Sequence, residues 1–265
     1  MSRFEQFGHE RRRQIYQYVE RRGAVEREEA RQNVLVRPES ASKPARSGPE
    51  LDPSVPMPAE EFDRHVAALV GDGYLEERAG KLRVALPVED EEATVELPEA
   101  EATVRPARQE DIAGIVDVIE AIAARDEYVV AKRLAQTVSH DEVLRRHNRS
   151  ENRVFFVATV DDEPVGWLHV EAVQLPMMDH TAELTVGILE DYRGHGLGST
   201  LMERGLGWAR SQGYRKVYQN MPATNEQAIR FLEEAGWTAE SARDGHYLID
   251  GELVDEVQLA IWVDE

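Results

Sequence analysis

The chain has 265 residues, room for one large domain or two ordinary ones, so its length favours two domains only weakly. It has no cysteine, which excludes a disulfide framework, a thiolate metal site and a cysteine nucleophile. The net charge of -20 is unevenly placed: residues 1–83 hold 15 acidic and 15 basic side chains, and residues 84–265 hold 36 and 16. That surplus argues against broad nucleic-acid binding by the C-terminal part. With only four lysines among 31 basic residues, the composition is that of a protein from a high-salt cytoplasm, where charge repulsion is screened. No stretch reads as a signal-peptide core or is long enough to span a bilayer, so a soluble, cytoplasmic chain with no membrane partner is expected.

In chain order, Glu10 to Arg22 carries Ile15, Tyr16 and Val19 at helical spacing, and Gly23 stops it. Val25 to Val34 reads as a second helix. Leu35 to Pro58 holds six of the chain's twelve prolines. Pro58 to Val70 then puts Phe62, Val66, Leu69 and Val70 on one face, and Gly71 and Gly73 break it. Tyr74–Arg78 and Lys81–Leu86, joined by Ala79-Gly80, read as a hairpin. Three helices and a hairpin over residues 1–86 resemble a winged helix-turn-helix, interrupted by the Pro-rich insert 35–58. The resemblance implies DNA as a partner, or else a packing or dimerisation module. Glu60, Glu61 and Asp63 crowd the start of the third helix, leaving Arg64 and His65 as its polar candidates for DNA.

Residues 87–101 contain seven acidic residues, two prolines and no basic one, the composition of a solvated linker. A second domain, 102–265, is expected to follow. There Thr103–Arg105 is a short strand, Asp111–Ala124 an amphipathic helix, and a second helical run extends through Val143 and Leu144. Val154–Val160 and Val165–Val170 form a hairpin across Asp161–Pro164. Leu184–Leu189 is a strand, Ser199–Gln212 a helix, Lys216–Asn220 a strand, Asn225–Glu234 a helix and Val257–Val263 a last strand.

Between strand and helix lies Arg193-Gly194-His195-Gly196-Leu197-Gly198. A glycine-rich turn feeding a helix is an anion site, because the first-turn amides have no partner and the backbone can be approached closely. Arg193 adds positive charge. A P-loop fails here, since no Gly-Lys-Ser/Thr ends the run, and a dinucleotide-binding βαβ loop would lack its third glycine. A plain turn remains the bland alternative.

The flanks Glu183–Tyr192 before the turn, and Asn225, Ala228, Phe231, Gly236 and Trp237 beyond the next strand, resemble the GNAT N-acetyltransferase family over roughly 102–263. The tail Asp250–Glu256 looks like the Asp-Gly-x-x-Val-Asp stretch of many members acting on small amines. The resemblance implies a mixed, mostly antiparallel sheet flanked by helices, an α/β (α+β) fold, with acetyl-CoA as co-substrate; separately, the eight histidines are scattered with no ligand-like spacing and there are no thiols, so no metal is expected. It implies that Val186, Gly187 and Ile188 offer backbone to the pantetheine arm. Arg193, Gly194, His195, Gly196, Leu197 and Gly198 would hold the pyrophosphate, and Asn225 would contact the CoA arm.

Transfer to an amine needs the amine neutral, and stripping the proton from a group of pKa about 10.4 at pH 7 costs roughly 4–5 kcal/mol. Glu183, at the place of the family's strand carboxylate, is the expected base, with His180 as fallback. The family's thiolate-protonating tyrosine falls at Leu232 here, so Tyr192, Tyr218, Tyr247 or solvent would have to replace it. The expected function is acetyl transfer from acetyl-CoA to a primary amine, small molecule or protein, by direct attack in a ternary complex. The alternative is a DNA-binding regulator whose second domain senses acyl-CoA. The acceptor and any homodimer are not legible.

Overall fold

A computed structural model describes residues 7–36, 54–85, 91–123, 129–141, 143–147, 151–173, 175 and 177–263. They fall into two compact units, one formed by the described residues up to Ala85 together with His147, the other by the rest. No helix among the described residues is long and apolar enough to cross a membrane.

The first unit runs α1 (Glu10–Arg22), β1 (Ala24–Glu26), α2 (Arg27–Asn33), β2 (Leu35–Val36), β3 (Val55–Pro56), α3 (Ala59–Gly71), β4 (Leu75–Arg78) and β5 (Lys81–Val84). β4 and β5 pair across Ala79 and Gly80, both with positive φ as a tight hairpin turn of matching twist requires. The sheet order is β1-β5-β4, and Ile15, Tyr16, Val19, Phe62, Val66, Leu69, Leu75 and Leu82 are buried. The expected helix from Val25 is corrected at its start. β-branched Val25 is buried opposite Leu82 in the sheet, so the helix begins only at Arg27. Val70 is exposed instead of joining the core. The ends of the Pro-rich stretch pair as β2 and β3, and its residues 37–53 lie outside those described.

His65, expected on the outward face of α3, is buried; burial and then the positive charges around it push its pKa down to about 4. It packs on the His9 ring at 4.6 Å. Arg11 pairs with Glu61, and Arg27 bridges Asp63 at 2.9 Å and Glu77 at 2.8 Å. These arginines therefore answer the carboxylates of their own unit.

The second unit runs β6 (Ala93–Glu96), β7 (Glu101–Pro106), α4 (Ile112–Ala123), α5 (Val129–Asp141), β8 (Arg146–His147, of which only Arg146 belongs to this unit), β9 (Glu151–Val160), β10 (Glu163–Val173), β11 (Thr181–Ile188), α6 (Leu197–Ser211), β12 (Lys216–Pro222), α7 (Glu226–Glu234), β13 (Thr238–Ile249) and β14 (Glu252–Trp262). Eight strands follow the order β13-β14-β12-β11-β10-β9-β7-β6, antiparallel except for the parallel pair β11–β12. This is the mixed, mostly antiparallel sheet expected.

Three expectations are corrected here. The acidic stretch 87–101 is not only a linker, because β6 pairs along β7 at the sheet edge, with Thr94 and Glu96 turned to solvent. β7 satisfies the ladder of β6 on one side, and charge on an edge strand discourages pairing on the other. The second helical run ends at Asp141, so Val143 and Leu144 are buried beyond it. The last strand is one arm of a long hairpin: β13 turns at Asp250-Gly251, both with positive φ, and β14 starts at Glu252. β13 is exposed along most of its length, so no apolar alternation announced it.

One sheet face is covered by α4 and α5, with Ile115, Ile119, Ile122, Leu134, Val138, Phe155, Val157 and Trp167 in a common core. α6 lies on β10 and β11, and its Gly205 faces Leu168 so closely that a Cβ there would meet the leucine at 2.5 Å.

Candidate functional site

β11 and β12 are neighbours only from Thr181↔Lys216 to Glu183↔Tyr218. Beyond that pair β11 runs on to Ile188 beside β10, while β12 runs on to Pro222 beside β14. The two strands diverge, and the edge of β11 at Val186–Ile188 faces a gap instead of a strand.

The gap opens into a cleft of about 340 Å³ lined by Ile122, Val186, Gly187, Ile188, Tyr192, Arg193, Gly194, Gly196, Gly198, Ser199, Gln219, Asn225, Gln227, Ala228, Phe231 and Leu232. At one end stands the start of α6. Gly196 precedes it with φ +88°, a left-handed conformation that lets the chain swing from the loop into the helix, and no side chain caps the first turn. The first internal bond runs from the Thr200 amide to the Gly196 carbonyl at 3.0 Å, so the amides of Leu197, Gly198 and Ser199 have no helical acceptor. Uncapped amides at the positive end of a helix dipole are a seat for phosphate oxygens. Arg193 is anchored beside them, its Nε donating to the Ile188 carbonyl at 2.9 Å.

Of the residues expected at this site, the structure gathers Val186, Gly187, Ile188, Arg193, Gly194, Gly196, Gly198 and Asn225 around the cleft. Two of the loop residues are set apart. His195 is exposed and does not line it, and the Leu197 side chain turns into the core, leaving only its amide toward the loop. Asn225 has a local task as well: its Oδ1 accepts from the Ala228 amide at 3.3 Å and caps α7, so a ligand would meet its Nδ2. Glu183 does not line the cleft but sits at the vertex where the strands part, exposed, between Glu171 of β10 and Tyr218 of β12. His180 is exposed just before β11 and lies outside the cleft.

The expected tyrosine place is filled by buried Leu232, an apolar wall of the cleft. Among the substitutes, Tyr247 donates to Glu256; burial, then that bond, raise its pKa and leave it a poor acid. Tyr192 lies at the anion end, while Tyr218 stands at the vertex beside Glu183.

Gln219 went unnoticed in the sequence. It is buried, lines the cleft, and its Oε1 has no hydrogen-bond partner. A buried acceptor left bare is costly unless a ligand satisfies it. Its only sequence signal was a polar residue at an inward position between Val217 and Met221. Among the described residues no group of His, Asp or Glu is arranged to hold a metal ion.

Comparison with known proteins agrees with this geometry. Residues 119–237 match the model of the Acetyltransferase (GNAT) family. A spermidine N(1)-acetyltransferase of Vibrio cholerae serotype O1 is 25% identical over 116 residues, 43% of this chain, and the chain spans 65% of the length of that curated relative. Among solved structures, a GNAT-family acetyltransferase from Streptococcus pneumoniae superposes with TM-score 0.50 at 19% identity, covering 61% of this chain and 99% of the other. An N-acetyltransferase from Staphylococcus aureus Mu50 does so with TM-score 0.50 at 17% identity over 62% and 99%. A Salmonella typhimurium protein solved with its cofactor acetyl-CoA matches with TM-score 0.50 at 19% identity over 62% and 95%. At these identities the structural likeness is one of fold. Residues 119–237 are thus similar in sequence to the GNAT acetyltransferase family, and the second unit is similar in fold to the solved acetyltransferases.

Proposed function

We propose that the chain is an N-acetyltransferase that moves acetyl from acetyl-CoA to a primary amine by direct attack in a ternary complex. The observation that carries this reading is the fork between β11 and β12, which opens in one cleft onto the uncapped start of α6. A thioester arm entering the fork would add to β11 through the backbone of Val186, Gly187 and Ile188. The amides of Leu197, Gly198 and Ser199, with Arg193, would take the pyrophosphate. Glu183, at the vertex, is the carboxylate that receives the amine, and Tyr218, its register neighbour on β12, is the hydroxyl that protonates the thiolate. With no cysteine in the chain, an acyl-cysteine intermediate is excluded.

The acceptor is a primary amine on a small molecule or a protein, a class that includes the substrate in the name of the Vibrio cholerae relative. For the first unit we propose a winged-helix fold, supported by three helices with a β1-β5-β4 sheet. The test of function is acetyl transfer from acetyl-CoA to a panel of amines and peptides in molar salt. Transfer to at least one amine is expected. No transfer to any, with acetyl-CoA still bound, would leave a binding module in place of an enzyme.

Gln219 supplies a second check, on binding alone. Gln219→Leu removes a bare buried acceptor, so stability is expected to hold or rise, while acetyl-CoA binding weakens by about five- to tenfold, one hydrogen bond's worth of roughly 1 kcal/mol. Calorimetric titration and urea unfolding read the two effects. Unchanged affinity would remove Gln219 from the site.

A further inference from the structure

Glu183 is not alone at the vertex. Its directly opposed residue on β10 is Glu171, and in an antiparallel pair such side chains leave the same face with Cβ atoms about 4.5–5.5 Å apart. Like charges so placed repel and weaken the sheet, so the pairing needs another cause. Further along the same two strands and on the same face comes Trp167↔Gly187, and Gly187 lines the cleft. The two carboxylates therefore share the face that leads from the cleft.

A second observation lies behind Glu171. His169 is 5% exposed and stacked on the Phe155 ring at 4.6 Å, and its Nε2 is buried without a hydrogen-bond partner, 3.6 Å from a Glu171 carboxylate oxygen. Burial, then the charges of Arg153 and Arg133, push the imidazole pKa down to about 3, so it stands neutral against Glu171. Glu171 faces Glu151 and Arg153 from β9, Glu183 from β11, Arg133 from α5 and His169 on its own strand. Arg153 pairs with Glu151 at 2.7 Å, which offsets its pull. Burial first, then Glu151, raise the Glu171 pKa, and Glu183 adds to the rise. A carboxylate held above its ordinary range is a stronger base toward an ammonium ion.

Resting on the transfer reaction proposed above, we infer that Glu171 is a second catalytic carboxylate: with Glu183 it seats the ammonium group of the acceptor, and Glu171 takes the proton. The ammonium gives one proton to Glu171. The freed nitrogen forms a bond to the acetyl carbon, the carbon–sulfur bond breaks, Tyr218 gives its proton to the departing thiolate and takes up the second nitrogen proton, giving the amide and the CoA thiol. Glu171 then returns its proton to solvent.

The experiment uses the full chain and its Glu171→Gln, Glu183→Gln and doubly substituted forms. Acetyl-CoA affinity is titrated, kcat/KM is followed against pH with spermidine and then the other panel amines, and the glutamate carboxyl carbons are titrated by NMR. Glu171→Gln is expected to lower kcat/KM at neutral pH by about 100- to 1,000-fold with acetyl-CoA affinity within twofold, the loss shrinking as pH rises toward the pKa of the amine. In Glu183→Gln the Glu171 carboxyl should titrate at lower pH than in the wild type. A Glu171→Gln rate within threefold of wild type across the pH range, with Glu183→Gln strongly impaired, would assign the proton to Glu183 alone and overturn the inference. So would a Glu171 titration unmoved by Glu183→Gln. A wild type that binds acetyl-CoA but acetylates no amine fails the transfer reading itself, and the inference falls with it.

Discussion

Gly196→Trp is expected to weaken acetyl-CoA binding by at least about a hundredfold, some 2.7 kcal/mol, because the indole would stand among the uncapped amides proposed to take the pyrophosphate. A Cβ at Gly196 meets no protein atom within 4 Å, so the protein has left that space open. The substitution also strains the backbone, since φ is +88° and a side chain in that region costs about 1–2 kcal/mol. Strain and blockage are separable. Gly213, just past the other end of α6, has φ +85° and open space as well, and lies outside the cleft. Gly213→Trp should lower stability by a similar amount and leave acetyl-CoA affinity unchanged. Calorimetric titration of both variants decides the matter: equal binding by Gly196→Trp and wild type would take the pyrophosphate site away from α6.

Asp111→Ala should cost about 3–5 kcal/mol of stability, the larger effect on the fold. Arg105 on β7 and Asp111 just before α4 are both buried, and they meet through two bonds of 2.7 and 2.9 Å. The Asp111 carboxylate also takes the Arg108 amide at 2.6 Å. Removing the carboxylate strands a guanidinium inside the protein, and an uncompensated buried charge costs far more than the pair ever contributed. Replacing both partners with apolar residues of similar size should restore most of the loss. Urea unfolding of the three forms tests this, and a loss below about 1 kcal/mol for Asp111→Ala would show that the pair is dispensable.

The pair also sets a pH dependence. Burial works against ionising Asp111, but the bonds from Arg105 and the Arg108 amide outweigh it, so its pKa lies below the ordinary value. With the folded pKa depressed, the contribution is fully present above the unfolded value of about 3.9 and is lost as pH falls through the folded one. The stability gap between wild type and Asp111→Asn should therefore narrow below about pH 4.

The sequence by itself determined those features that depend on neighbours along the chain. Ile15, Tyr16 and Val19 at helical spacing made α1, and Gly196 before the next helix left its first amides uncapped, because periodicity, caps and positive-φ turns are local. Val186–Ile188, Arg193 and Asn225 were recognisable as a set only through the resemblance to a known family, because Asn225 lies 32 residues beyond Arg193. Tertiary structure alone decided where β11 and β12 part, since the register that ends at Glu183↔Tyr218 depends on strands far apart in sequence. It also decided that Glu171 opposes Glu183, that Gln219 faces the cleft, that Val25 joins a sheet, and that His65 is buried. Exposed β13 and charged β6 escaped notice for one physical reason: an edge strand is held by its backbone ladder to the neighbouring strand, and that bonding leaves no hydrophobic pattern in the residues.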